Sequence, residues 1–106
     1  MEIPFKDWKR LDIRVGEIKE AGDHPNASKL LVLKVDIGDE ERNIVAGIKN
    51  YDKEDLIGKK IIVFCNLEQK ELRGIKSEGM LLAADEDGTP TLIVPEKDLK
   101  NGAKIE

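Results

Sequence analysis

The sequence has few of the residues on which catalytic and metal centres are usually built. It contains one cysteine, Cys65, and one histidine, His24, so an intrachain disulfide and a zinc site of ordinary Cys/His composition are both excluded. His24 stands in the turn-like sequence His-Pro-Asn, with Ser28 as the only serine near it along the chain, which does not favour a hydrolase triad. Cys65 lies in the apolar run IIVFC, where a buried, unreactive thiol is expected. The chain is therefore predicted to be non-catalytic and to use no cofactor.

Long apolar segments are also missing. No run approaches the roughly 18 residues that a membrane-spanning helix needs, and the N-terminal MEIPFKDWKR lacks the basic start and apolar centre of an export signal. We therefore expect a cytoplasmic protein with no membrane partner. Its 106 residues fit one domain, residues 1–106.

The charge balance gives no overall attraction for nucleic acid. The formal net charge is −4, which by itself argues against a polyanionic partner. Residues 85–106 carry six acidic and three basic residues, net −3, whereas residues 1–84 carry sixteen acidic and fifteen basic residues, net −1. Most of the acidity therefore belongs to the C-terminal segment, and a local basic face elsewhere is compatible with the composition.

The apolar residues that are present follow the pattern of β-strands. Apolar and polar residues alternate with period two in LDIRV and LLVLKVDI, which is typical of half-buried strands. Further runs of strand length are IVAGI (44–48), KIIVFCNL (60–67), GMLLAA (79–84) and TLIV (91–94). We predict an all-β protein, since no segment has a long helical period.

The connections between these runs indicate a small barrel. Turn signals lie at DHPNAS (23–28), IGDEER (37–42), Asp87-Gly88 and Asn101-Gly102, and Gly16 and Gly47 suggest bulges or tight bends. NYDKEDLIGK fits one or two helical turns that Asp52 could cap and Gly58 could end. The pattern predicts a five-stranded Greek-key barrel of the OB type, with an SH3-like barrel as the nearest alternative. The core would span about residues 11–84, and residues 85–106 would form a β extension that docks on the barrel or on a second chain.

The scarcity of aromatic residues limits the kind of nucleic acid that such a barrel would bind. OB barrels that hold flexible single strands stack bases on aromatic rings, but this chain has only Phe5, Trp8, Tyr51 and Phe64. Phe5, Trp8 and Phe64 have the surroundings of packing residues. A folded RNA that is read through its shape and backbone is therefore more compatible with the sequence than a single strand.

Five segments together resemble the tRNA-binding domain family, an OB-fold module that also occurs with methionyl-tRNA synthetases. They cover almost the whole chain in the family's order and spacing: DIRVGEI (12–18), HPNASKLLVLKVDIG (24–38), RNIVAGI (42–48), DLIGKKIIVFCNL (55–67) and LRGIKSEGMLLAA (72–84). The resemblance implies a non-catalytic protein that binds tRNA by shape, either alone or as the beta subunit of a methionyl-tRNA synthetase. Its implied partners are tRNA, a second copy of the chain in a homodimer, and a catalytic synthetase chain.

The resemblance also implies which residues contact RNA. Asn26 and Lys29 match the family's His-Pro-Asn turn, although turn chemistry and solvation explain both equally well. The expected RNA-binding residues are Asn26, Lys29, Asn66, Arg73, Lys76, Ser77 and Met80. An arginine and a serine hydroxyl suit phosphate and 2′-OH contacts, whereas Met80 could belong to the core and Asn66 could simply cap a turn.

Some residues depart from the family pattern or leave an alternative open. Gln69 and Lys53 stand where proline is frequent, Ser28 replaces an aspartate, and Glu71 replaces a lysine beside the expected contact loop. A carboxylate there is expected to weaken phosphate binding.

The alternative function is that of a protein-binding module of the secretion-chaperone type, whose fold and dimer the chain also resembles.

Overall fold

The computed structural model describes all residues, 1–106, and is built mainly of short strands. Two four-residue helices accompany nine strands. In chain order they are α1 (Phe5–Trp8), β1 (Ile13–Asp23), β2 (Leu31–Asp36), β3 (Glu41–Ala46), α2 (Lys53–Leu56), β4 (Lys60–Phe64), β5 (Lys70–Leu72), β6 (Ile75–Ser77), β7 (Met80–Leu81), β8 (Ala83–Glu86) and β9 (Thr89–Leu92).

Five of these strands form a nearly closed antiparallel barrel of the OB type, as predicted. The strand order is β3-β2-β1-β4-β7, and the sheet closes where residues 77–79 run beside β3. There the Glu78 backbone N–H donates to the Asn43 carbonyl at 2.8 Å, and the Asn43 N–H donates to the Glu78 carboxylate at 2.9 Å. Closure brings together the two edges that an open sheet of this size would leave unpaired.

Alternation along the strands explains the core. In β2, Leu31, Leu33 and Val35 are fully buried while the residues between them are only partly covered. They join a main cluster of fourteen buried residues inside the barrel. A smaller cluster of Ile13, Val15 and Ile62 lies on the other face of the sheet, so β1 and β4 carry apolar side chains on both faces.

The first strand is longer than the sequence pattern indicates. It pairs with β4 over residues 13–17 and with β2 over residues 17–23, with an irregular register between Ile18 and Glu20. The bend predicted at Gly16 is therefore placed about three residues too early. Gly16 is needed for close packing instead, because a Cβ there would lie 2.7 Å from the Val35 Cγ1. Gly47 lies just after the end of β3.

The helices agree only in part with the sequence. The predicted helix forms at Lys53–Leu56 and Gly58 follows it at φ 85°, but the Asp52 side chain makes no capping hydrogen bond. The N-terminal α1 was not expected, since four residues show too little periodicity. It has no buried residue, and neither helix could span a membrane.

The C-terminal segment docks on the barrel. The predicted Asp87-Gly88 turn joins β8 to β9, with φ values of 54° and 83°, and β9 lies two residues earlier than the predicted strand at 91–94. The predicted run at 79–84 is divided between β7 and β8 at Leu82. Residues 102–105 run along β1: the Gly102 N–H donates to the Val15 carbonyl and the Ile105 N–H to the Ile13 carbonyl, both at 2.8 Å.

Candidate functional site

The β1–β2 connection forms a compact turn over residues 24–30. The His24 N–H donates to the Leu30 carbonyl at 3.2 Å, and the Leu30 N–H donates to the Ala27 carbonyl at the same distance. Asn26 and Lys29, two of the expected contact residues, are exposed, and neither side chain makes a hydrogen bond or an ion pair within the protein. Both side chains are therefore available to a ligand.

The polar segment after β4 is a hairpin rather than the loop that the sequence suggests. Strands β5 and β6 pair in register, with Lys70 opposite Ser77, Glu71 opposite Lys76 and Leu72 opposite Ile75. The two residues between them have positive φ, 55° at Arg73 and 94° at Gly74, which is typical of a type I′ turn. Arginine is uncommon in that conformation, so this turn was not predictable from the residue types. The turn exposes Arg73 at the hairpin tip.

The turn and the hairpin are hydrogen-bonded to each other. The His24 Nδ1 accepts from the Asn26 backbone N–H at 2.9 Å, and its Nε2 lies 2.9 Å from the Leu72 carbonyl oxygen. The Arg73 guanidinium donates to the Asn26 carbonyl at 3.3 Å. We call the combined surface of residues 24–30 and 70–77 the turn–hairpin surface. His24 was not among the expected site residues, because a histidine in a turn carries no sequence signal of this contact.

Ser77 fixes the base of the hairpin. Its side chain is buried, and its Oγ accepts from the Val45 N–H at 3.0 Å and donates to the Gly79 carbonyl at 2.8 Å. Gly79 follows at φ 151°, and a Cβ there would lie 3.0 Å from the Phe64 carbonyl oxygen. The hydroxyl expected to contact RNA is thus engaged inside the protein, where it holds β6 against β3.

Met80 and Asn66 lie away from the hairpin tip. Met80 is half-buried opposite Phe64, and it lines a cavity of about 650 Å³ together with residues 67–72, Ser77 and Gly79. The Asn66 side chain accepts from the Asp12 N–H and donates to the Arg10 carbonyl, both at 2.7 Å. Asn66 therefore connects the end of β4 to the segment before β1 and is not brought together with the turn.

The turn–hairpin surface has a positive charge of its own. It contains four basic residues and one acidic residue, net +3, in a chain whose net charge is −4. None of the four cations forms an ion pair with a carboxylate of the protein, and all four are exposed: Lys29, Lys70, Arg73 and Lys76. The carboxylate of Glu71 is opposite Lys76 in the strand register, which partly offsets that lysine.

Elsewhere many cations are paired. Arg14 donates to Asp12 at 2.8 Å and to Asp39 at 2.9 Å; the first bond is the main cause of an Asp12 pKa below its usual value. Lys49 and Lys53 both contact Asp23 and lower the pKa of that carboxyl. The carboxylates in these pairs neutralise the cations that they contact, both beside residue 24 and elsewhere on the barrel. The four cations of the turn–hairpin surface have no such carboxylate partner.

Cys65 is 3% exposed, and burial raises the pKa of its thiol. A protonated, inaccessible thiol is a poor nucleophile. The expectation of a buried cysteine is therefore confirmed.

The two chain termini form a second surface feature. A groove of about 510 Å³, here called the terminal groove, is lined by Phe5, Trp8, Lys9, Leu11, Lys104, Ile105 and Glu106. Phe5 is 69% exposed and Trp8 is 38% exposed. A group of exposed apolar side chains with charged residues around it is typical of an interaction site.

Comparison with known proteins gives the relatives of this chain. The family described as "Putative tRNA binding domain" matches residues 13–104. The chain is 54% identical to methionine–tRNA ligase of Pyrococcus abyssi over 106 residues, which are 99% of this chain and 15% of that protein. It is also 54% identical to methionine–tRNA ligase of Methanocaldococcus jannaschii, covering 98% of this chain and 16% of that protein. The chain thus spans about one-seventh of the length of these synthetases.

Solved structures share the whole fold. The CsaA chaperone protein of Picrophilus torridus superposes with a TM-score of 0.92 at 37% identity, covering 99% of this chain and 100% of that one. The MetRS related protein of Pyrococcus horikoshii gives a TM-score of 0.90 at 38% identity, with both chains covered completely. These likenesses confirm the prediction of a binding module rather than an enzyme, and the chain belongs to the tRNA-binding domain family.

Proposed function

We propose that the chain binds tRNA by its shape through the turn–hairpin surface. The observation that carries this proposal is the group of four unpaired cations on two segments that are hydrogen-bonded together at one end of an OB barrel. OB folds bind oligonucleotides on the strand 2–3 face and on the loops that border it, which here correspond to residues 24–30 and to the segment that contains the hairpin.

Several features support a structured RNA over a single strand. The turn–hairpin surface contains no aromatic residue, so it has no platform on which successive bases could stack. Its lysines and arginine can contact phosphates, and the Asn26 amide can contact a phosphate or a 2′-OH. In this proposal Asn26, Lys29, Arg73 and Lys76 contact RNA directly, Met80 borders the site, and Ser77 holds the base of the hairpin. Asn66 stabilises the barrel outside the site, where it joins the end of β4 to the segment before β1.

The proposed assembly is a homodimer that works in the cytoplasm beside a methionyl-tRNA synthetase, as its beta subunit or as a separate protein. The terminal groove offers the apolar area that a second copy would cover, since Phe5, Trp8 and Ile105 line it. Two turn–hairpin surfaces in one dimer would raise the effective concentration of tRNA near a catalytic chain. The high identity to methionine–tRNA ligases supports that partner.

A second candidate function is protein binding, and two observations favour it. The cavity beside the hairpin is lined by three apolar side chains, Leu67, Leu72 and Met80, and two of the similar structures are named chaperone CsaA. Such a cavity could hold an apolar side chain of an extended peptide.

A gel-shift experiment separates the two functions. The purified protein is mixed with total tRNA, 5S RNA and single-stranded oligonucleotides, each at two salt concentrations. We expect tRNA to bind best and to be released steeply as salt rises, whereas capture of an apolar peptide would persist or strengthen in a kosmotropic salt. Equal binding of all three nucleic acids would contradict recognition by shape.

A further inference from the structure

We propose that His24 is a positioning residue, which holds the hairpin tip against the β1–β2 turn so that the cations of both segments face one ligand. This inference rests on the proposed tRNA-binding function. It adds a residue that does not itself meet the RNA, because His24 is only 5% exposed.

The hydrogen-bond geometry fixes the tautomer of His24. The Asn26 backbone N–H can only donate, so the His24 Nδ1 that it contacts at 2.9 Å must accept. In the neutral ring the proton is then on Nε2, which donates to the Leu72 carbonyl oxygen at 2.9 Å. One ring therefore joins the turn to the hairpin through both of its nitrogens.

Little else connects the two segments. Besides the His24–Leu72 bond, the only hydrogen bond between residues 24–30 and residues 70–77 is the one from the exposed Arg73 to the Asn26 carbonyl. The hairpin strands have three residues each, and a two-stranded ribbon of that length has little stability of its own. Ser77 fixes the base of the hairpin, so the tip depends on the contact with His24.

The same contact orients the residues that would bind RNA. Asn26 is held by its N–H to His24, and its carbonyl receives the Arg73 guanidinium. Leu72, which receives the Nε2 proton, directly precedes Arg73. Loss of the imidazole would release both sides of the surface at once, and the cations would have to be ordered again at the cost of binding free energy.

Three substitutions separate the two bonds of His24. His24→Gln keeps a donor near the position of Nε2, His24→Asn keeps an acceptor near the position of Nδ1, and His24→Leu keeps neither. If the bond to Leu72 positions the hairpin, tRNA affinity should stay within about twofold in the Gln variant and fall about tenfold in the Asn and Leu variants. Amide hydrogen exchange over residues 70–77 should accelerate in the Asn and Leu variants alone.

A double-substitution cycle tests whether His24 acts through the arginine. Arg73→Ala should weaken tRNA binding clearly in the wild-type background but by less than about twofold in the His24→Leu background, since residues that act as one unit are not additive. A purely structural histidine would give additive effects. Additivity would overturn the proposal.

The outcomes distinguish this inference from the proposed function. If the wild-type protein binds tRNA but all three His24 variants match it, or all three weaken equally, the positioning role is wrong. If the wild-type protein does not bind tRNA, the proposed function fails, and hydrogen exchange alone then tests whether His24 holds the hairpin. Selective acceleration in the Asn and Leu variants would then still establish the contact with the hairpin, and unchanged exchange would overturn it.

Discussion

The turn–hairpin surface and the terminal groove differ in whether their cations are paired with carboxylates and in how much apolar surface they expose. On the turn–hairpin surface, exposed cations have no carboxylate partner and the apolar residues are few. Around the terminal groove, Lys104 reaches Asp12 at 3.9 Å, Asp12 is held by Arg14, and the aromatic rings are the exposed groups. One surface is therefore suited to a polyanion and the other to an apolar partner.

This difference shows why the net charge of the chain is a poor guide to its ligand. A total of −4 describes all 106 residues together, but exposed charges act within a Debye length of about 8 Å at physiological salt. The C-terminal segment, residues 85–106, contributes −3 of that total, whereas the cations that would contact RNA lie on the turn–hairpin surface.

The largest effect is expected from removing the C-terminal segment. Deleting residues 90–106 removes the buried Leu92 from the main core and the three backbone hydrogen bonds that residues 102–105 make with β1. We expect the free energy of unfolding to fall by about 3 kcal/mol or more, with loss of the proposed dimer and weaker tRNA binding. Urea unfolding and light scattering measure these changes. Full stability of the truncated chain would show that the segment is an independent appendage.

A charge in the terminal groove should break the proposed dimer and leave the fold intact. Trp8→Glu places a carboxylate in the proposed interface, where a central tryptophan typically contributes about 2 kcal/mol or more. Ile57→Glu is the matched control, because Ile57 is exposed to a similar degree, 50%, but lies outside the groove. Light scattering should find a monomer only for Trp8→Glu. Dimers of both variants would place the interface elsewhere.

Removing one cation from the turn–hairpin surface and one from the C-terminal segment compares the roles of these two regions in tRNA binding. Arg73→Ala should weaken binding by about 1–3 kcal/mol, since it removes a charge-assisted contact, while the circular-dichroism spectrum stays unchanged. Lys97→Ala, which removes an exposed and unpaired cation of the C-terminal segment, should change affinity by less than about 0.5 kcal/mol. Equal losses in both variants would mean that only net charge matters.

A charge reversal on the hairpin should strengthen binding. Glu71→Lys removes the carboxylate opposite Lys76 and adds a cation, so it should tighten tRNA binding and steepen the salt dependence by about one unit of slope. Glu96→Lys makes the same change of charge on the C-terminal segment and should do much less. If Glu71→Lys leaves the slope unchanged, residue 71 does not face the RNA.

The smallest effect is expected on the stability at low pH that the Asp12–Arg14 ion pair provides. Arg14 lowers the pKa of Asp12 in the folded protein, so this carboxylate contributes stability above the unfolded value of 3.8 that is lost as pH falls through the lower folded value. The free energy of unfolding of Asp12→Asn should therefore change less with pH than that of the wild-type protein between about pH 5 and pH 2. Asp85→Asn, at an exposed position without an ion pair, is the control. Parallel curves for the wild-type protein and Asp12→Asn would contradict this account.

The barrel was predictable from sequence because its signals are periodic and local. The alternation in β2 and the Asp87-Gly88 turn each determine structure within a few residues, and both predictions are confirmed. The contacts that build the site are not local. His24 and Leu72 are 48 residues apart, and the Arg73-Gly74 turn lacks the usual Asn-Gly or Asp-Gly sequence. Ser77 shows the same limit, since its burial against Val45 depends on tertiary packing.

A hydrogen-exchange footprint of bound tRNA on the wild-type protein tests directly whether the turn–hairpin surface binds tRNA. We expect slower exchange over residues 24–30 and 70–80 when tRNA is present, with residues 5–8 and 103–106 unchanged. Protection confined to the terminal residues, or spread evenly over the chain, would contradict the assignment of the turn–hairpin surface as the tRNA interface.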